Sequence, residues 1–251
     1  IGWRDSHQFS FEMSSLALQY MANPSLYDRM PYDVYRAEEC EYKELREQDE
    51  PNIVWLMEFA ALRYYDLAVN DGKKLLIKEQ LAWFLYAYPA ISEYVPRDMY
   101  EKIRDLTMRI WSESGCNLSY HAVGTERAAG ILYYNLYDDT NNKEDNNLFS
   151  VQQVVGGIKG QLPPAHAVTP NLMMYEVLKR DGLEGAEAYF QAAYDNCAWI
   201  LDNIDIAAPE YSKGQRMSEH VVMENLAYFL EEYPDRAPQG LQEAITRWAE
   251  T

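Results

Sequence analysis

A chain of 251 residues, 48% of them hydrophobic, has the make-up of an ordinary globular protein and can bury a full core as one large domain or two small ones. Its 40 acidic residues against 22 basic ones give a formal net charge of −18, which argues against nucleic acid and against an anionic membrane surface, since both are held by Lys and Arg. A neutral ligand fits best, and no apolar run approaches the roughly 20 residues needed to span a bilayer.

Helical periodicity dominates from the start. Over residues 8–21, Phe9, Met13, Leu16, Ala17 and Tyr20 share one face, and Asn23-Pro24 stops the run. A second helix is predicted over 52–70, with Ile53, Leu56, Met57, Ala60, Tyr64 and Leu67 inward and Asp71-Gly72 closing it. Others follow at 73–88, 97–113, 124–136, 148–158, 168–181, 184–203, 216–232 and 238–250. Turn signals separate them: Pro89, Pro96, the polar stretch Asp138 to Asn147, Pro163-Pro164, Pro209 and Pro234. No alternating apolar and polar run is long enough for a sheet, so the expected class is all-α. Longer irregular loops at 22–33, 138–147 and 204–215 suit the decorated rim of a closed ring of hairpins better than a strict solenoid.

The sequence echoes itself. Residues 76–89 (LIKEQLAWFLYAYP) and 221–234 (VVMENLAYFLEEYP) are identical at seven of fourteen positions, among them Leu81/Leu226, Phe84/Phe229 and Tyr88/Tyr233. Each copy runs into a proline and then another amphipathic stretch, which suggests a helical hairpin used more than once.

Four segments carry candidate chemistry. The first is Lys213 to His220. Counting back along the apolar stripe through Tyr233, Phe229, Leu226 and Val222 puts Glu219 on the same seam, where desolvation raises a carboxyl pKa and suits a general acid. The structural alternative is that Ser218 caps the helix and Glu219 decorates its first turn. The second is Gly2 to Gln8, in which Trp3 can stack on a sugar ring, Arg4 can hold Asp5 ionised, and Asp5 can deprotonate water; Asp5 or Ser6 can equally be an N-cap. The third is the stiff loop Gln161 to Asn171, with His166 after two prolines. The fourth is Asn117 to His121 with Arg127, where Tyr120 and His121 could serve a β-elimination.

Other chemistry finds little support. The Asp138–Asn147 stretch has oxygen ligands but neither the spacing nor the final Glu of a calcium loop. HExxH, GxSxG and P-loop motifs are absent, so no metal or other cofactor is expected. Cys40, Cys116 and Cys197 form no CxxC pair. The 21 tyrosines and 6 tryptophans suit either sugar stacking or the wedging of helical hairpins. The chain opens on Ile1, as expected of a processed product or a piece of a longer protein.

Together, GWRDS (2–6), PPAH (163–166), GQRMSEH (214–220) and the hairpin echo resemble the six-hairpin α/α-toroid glycosidases, most nearly the family 9-like glycoside hydrolases. That resemblance implies a single α/α-toroid domain over 1–251, with Asp5 as catalytic base and Glu219 as catalytic acid. Trp3, Arg4, His7, His166, Arg216 and His220 would contact the sugar, and a secreted or periplasmic location is implied. One departure is plain: such enzymes carry a second aspartate shortly after the first, whereas Ser6, His7 and Gln8 follow Asp5 here. The predicted helices are also fewer than a complete ring contains. The expected function is therefore hydrolysis of a neutral oligo- or polysaccharide by two carboxylates. The alternatives are a non-catalytic helical domain that binds carbohydrate or protein, and a polysaccharide lyase on the same scaffold.

Overall fold

The computed structural model describes residues 12–28, 50–69, 77–113, 168–203, 205–207 and 219–250. Among them lie α1 (Glu12–Ala22), α2 (Pro24–Tyr27), α3 (Asn52–Val69), α4 (Ile77–Ile91), α5 (Arg97–Glu113), α6 (Val168–Asp181), α7 (Ala186–Asn203), α8 (Glu219–Glu232), a 3-10 turn (Pro234–Arg236) and α9 (Leu241–Ala249). No strand occurs among the described residues, and the chain is all-α there. The helices predicted at 124–136 and 148–158 lie outside the described residues.

The apolar stripes do what their spacing requires. Met13, Ala17 and Tyr20 of α1, Ile53 and Met57 of α3, Leu81 and Phe84 of α4, and Leu226 and Phe229 of α8 all enter one core. Each fully buried Leu or Phe among them contributes roughly 1.5–3 kcal/mol relative to exposure. Helix α6 differs. Every residue from Val168 to Tyr175 is buried, so its first two turns have no solvent face, whereas Lys179 and Arg180 near its end are exposed. Pro170 is tolerated in its first turn, where the N–H would have no intrahelical acceptor. The helix closes on Gly182 at φ 66°, where Leu183 N–H bonds the Leu178 carbonyl at 2.9 Å and Gly182 N–H that of Lys179 at 3.2 Å. This paired closure needs a left-handed residue, and glycine supplies it without strain.

Two expectations from the prolines change. Asn23-Pro24 does end α1, but the chain then makes the single turn α2 where an irregular loop was expected. At Pro89 there is no turn, because α4 continues through it to Ile91. Proline has no N–H to give the Leu85 carbonyl four residues back, and that vacancy usually breaks a helix. Here Arg180 of α6 fills it: Nη2 donates to the Leu85 oxygen at 2.8 Å and Nη1 to the Tyr86 oxygen at 3.4 Å. The turn comes instead after Ile91, whose carbonyl accepts the Tyr94 and Val95 N–H groups.

The sequence echo has a structural counterpart. Helix α1 packs on α3 and α4, and α5 packs on α4 and α3. In the second half, α6 packs on α7 and α8, and α9 on α8 and α7. The shared Leu81/Leu226 and Phe84/Phe229 positions are fully buried in both copies. The two halves meet where α4 lies against α6.

Candidate functional site

The first helix of each half is tied to its neighbour by the same device. Gln80 in the first turn of α4 accepts the Met13 N–H of α1 at 3.0 Å, and Asn225 of α8 accepts the Thr169 N–H of α6 at 3.0 Å. Gln80 and Asn225 are equivalent positions of the echo. Each side chain thus satisfies one of the first-turn N–H groups that a helix cannot bond internally.

These bonds, with those at the far ends, fix the helix directions. Tyr20, late in α1, interacts with Tyr94, just beyond α4. Arg180, late in α6, bonds late carbonyls of α4. The hydroxyl of Tyr233, just past α8, donates to Glu176 in the second half of α6. Helices α1, α4, α6 and α8 therefore run parallel and begin at one end of the assembly. Short connections return α5 and α7 antiparallel to α4 and α6.

The two ends differ chemically. Near the starts of these helices the described side chains include five buried neutral hydrogen-bonding groups, Ser14, Gln80, Thr169, Asn171 and Asn225. Where they finish, charges and rings interlock. The Asp181 side chain is 2% exposed. It accepts Arg104 Nη1 at 2.6 Å and the Tyr100 hydroxyl at 2.8 Å, with Arg180 Nε at 3.7 Å and Arg97 Nη1 at 3.8 Å. Burial pushes the Asp181 carboxyl up, but the hydrogen bonds from Arg104 and Tyr100 and the charges of Arg180 and Arg104 outweigh it and hold the carboxyl below the usual range. Burial also raises the Tyr100 hydroxyl to about 12, and its ring stacks on Tyr88 at 4.0 Å. A second lock lies beside it. Arg236 stands 3.3 Å from the Phe190 ring centroid, donates to the Tyr175 hydroxyl at 3.0 Å and pairs with Glu187 at 2.8 Å. This end is built for rigidity.

The sequence candidates distribute unevenly over this frame. Glu219 and His220 are the first two residues of α8, and their side chains lie outside the described set. Trp3, Arg4, Asp5, His7, His166 and Arg216 lie outside the described residues, as do Tyr120, His121, Arg127 and the 138–147 loop. On the seam counted back from Tyr233, Phe229 and Leu226 are fully buried. Sequence reasoning missed the Asp181 cluster, whose members come from α5 and α6 and share no local motif. It also missed Glu50, just before α3, and Glu58, within it, two carboxylates 2% and 3% exposed. Burial of that degree is rare for glutamate, and no periodicity signal reports it.

A groove of about 690 Å³ runs beside α9, lined by Leu230, Pro234, Pro238, Leu241, Thr246 and Arg247 among others, and contains none of the sequence candidates. Among the described residues no group of three or more His, Cys, Asp or Glu side chains could hold a metal ion, and no helix is long and apolar enough to cross a membrane. No known protein family, curated protein or solved structure shows significant similarity to this chain.

Proposed function

We propose that this chain is an arc of an α/α toroid that hydrolyses glycosidic bonds of a neutral oligo- or polysaccharide. Glu219 protonates the leaving oxygen and Asp5 activates water. The observation that carries this reading is the shared starting end of the parallel helices α1, α6 and α8. The three polar segments named from sequence are those that lead into these helices. Asp5 precedes Glu12 by seven residues, His166 precedes Val168 by two, and Arg216 precedes Glu219 by three. A ring of hairpins with parallel inner helices gathers such segments at one mouth, where a pocket can hold a sugar. The net negative charge favours an uncharged ligand over an anionic one.

Glu219 at the head of α8 is subject to two opposed effects. The helix dipole favours its anion, and desolvation favours the protonated acid that the mechanism needs. Catalysis as a general acid requires the second to prevail.

The test is release of reducing ends from a panel of neutral glucans, xylans and mannans by the full chain, by Glu219→Gln and by Asp5→Asn. Each variant is expected to lose on the order of 10²- to 10⁴-fold in rate while keeping its helical circular dichroism. Full activity in both folded variants removes the two-carboxylate mechanism. Glycan retention on an affinity gel without turnover makes the chain a binding domain, and an ultraviolet-absorbing unsaturated product makes it a lyase. If hydrolysis is found, a carboxyl separation of about 6.5–9.5 Å predicts inversion, and one of about 5–5.5 Å predicts retention.

A further inference from the structure

A buried asparagine interrupts the pattern that shapes α7. Tyr189, Ala192, Ala193, Asn196 and Ile200 share a stripe by their spacing of three and four, and all of them are buried. Asn196 is fully buried at a position where that spacing calls for Ala or Leu, which are also better helix formers. Its Nδ2 donates to the Ala192 carbonyl one turn back at 3.2 Å, while Oδ1 is sealed from solvent and accepts nothing among the described residues. The buried amides of Gln80 and Asn225 differ, since each spends its oxygen on a main-chain N–H at 3.0 Å. Turning the Asn196 amide over does not help: Oδ1 would then face the Ala192 carbonyl, acceptor against acceptor. A buried acceptor left unmade costs more than a satisfied hydrogen bond returns, and such a departure from the local pattern marks a position with a further task.

We propose that Asn196 is the binding site of a single internal water molecule. The occupant must donate a hydrogen bond, because Oδ1 only accepts. It must be small, because close-packed interiors leave few voids larger than a water. It must also be neutral. The flanking buried positions Ala193, Cys197 and Ile200 bring no charge, and burial raises the Cys197 thiol to about 12, so it stays protonated. Among the described residues no His, Cys, Asp or Glu group could hold a metal ion instead. The amide edge suits a water well, since it carries Oδ1 and a second Nδ2 hydrogen besides the one given to Ala192. A water there donates to Oδ1 and accepts that hydrogen. One side chain then supplies two of the roughly two to four partners an internal water takes. This site stands apart from the hydrolytic reading, and turnover or its absence leaves it unchanged.

The test is nuclear magnetic resonance on the full chain, reading rotating-frame cross-peaks between the water line and the Asn196 side-chain NH2 and the Ala192 and Ala193 methyls. In the rotating frame, dipolar contact and proton exchange give opposite signs, so a held water is told apart from an exchanging amide. Cross-peaks of dipolar sign are expected at the NH2 and at one or both methyls. They are expected to persist in Tyr189→Phe and Cys197→Ala, which remove nearby hydroxyl and thiol protons that could relay exchange. Asn196→Leu keeps the shape of the side chain, removes both hydrogen-bonding groups and is expected to abolish the methyl cross-peaks. Absence of a dipolar cross-peak at the Asn196 NH2 of the unsubstituted chain overturns the proposal, whether or not any variant folds. So does loss of the signal in a folded relay control. A folded Leu variant whose methyls still contact water overturns it as well, because another group then holds the molecule.

Discussion

Asp181 shows how much a single side chain can organise. Its carboxylate is nearly sealed from water and tolerates that only because Arg104, Tyr100 and Arg180 surround it. Arg97, half exposed and 3.8 Å away, adds little through solvent. Replacing Asp181 by Ala removes the buried partner of Arg104 and leaves it the exposed Asp105 at 2.9 Å, so the cost is expected to fall below the roughly 3–5 kcal/mol of a fully stranded buried charge. Urea unfolding at pH 7 checks the size. The pH dependence checks the cause. Because the folded carboxyl lies below its unfolded value of about 3.9, its contribution is present above that pH and vanishes as pH falls through the folded value. The gap between Asp181→Ala and the parent should therefore hold steady from pH 7 to 5 and narrow below about pH 4. A gap that persists unchanged at pH 2.5 assigns the loss to packing instead of charge.

At the scale of elements, periodicity located the helices well. The predicted 97–113 and 168–181 match α5 and α6, and 52–70 matches α3 to within one residue. The pattern works there because each helix buries a stripe whose spacing is local. It fails at Pro89, since what keeps α4 helical comes from Arg180, distant in sequence. That compensation is measurable. Pro89→Ala returns an N–H to the Leu85 carbonyl on an exposed position, and an interior proline costs about 3 kcal/mol. Part of that gain is offset by the freer unfolded chain, so a net stabilisation of about 1–2 kcal/mol is expected from thermal or urea unfolding. In the Pro89→Ala background, Arg180→Leu should be less harmful than in the parent, with a coupling of about 1 kcal/mol. Additive effects in that double-mutant cycle rule out the carbonyl bond as the compensating interaction.

For the molecule as a whole, the sequence revealed a repeated hairpin but not how its copies face. Direction is set by contacts such as Asn225 with Thr169 and Arg180 with Leu85, which join residues with no common motif. The candidate site was legible only as segments: residues 2–8, 161–171 and 213–220 were named from their chemistry, and the parallel course of the helices they lead into was not readable. The geometry that joins the halves also predicts how they unfold. The first two turns of α6 have no solvent face, and α4 supplies part of the helix's cover. Arg180 and Asp181 of α6 bond to Leu85, Tyr100 and Arg104 of the first half, and Tyr86 of α4 interacts with Tyr228 of α8. Neither half keeps its core closed if the other opens, because opening exposes the apolar face of α4 or of α6. The central amides of Phe84 in α4 and Phe229 in α8 should thus exchange only through global unfolding, with opening free energies equal within about 0.5 kcal/mol and falling together in urea. A difference above about 1 kcal/mol means that the repeated units open separately and that the α4–α6 contact is a docking surface between two stable halves. In that case the shared starting end, which draws on α1 from one half and α6 and α8 from the other, exists only while they are docked.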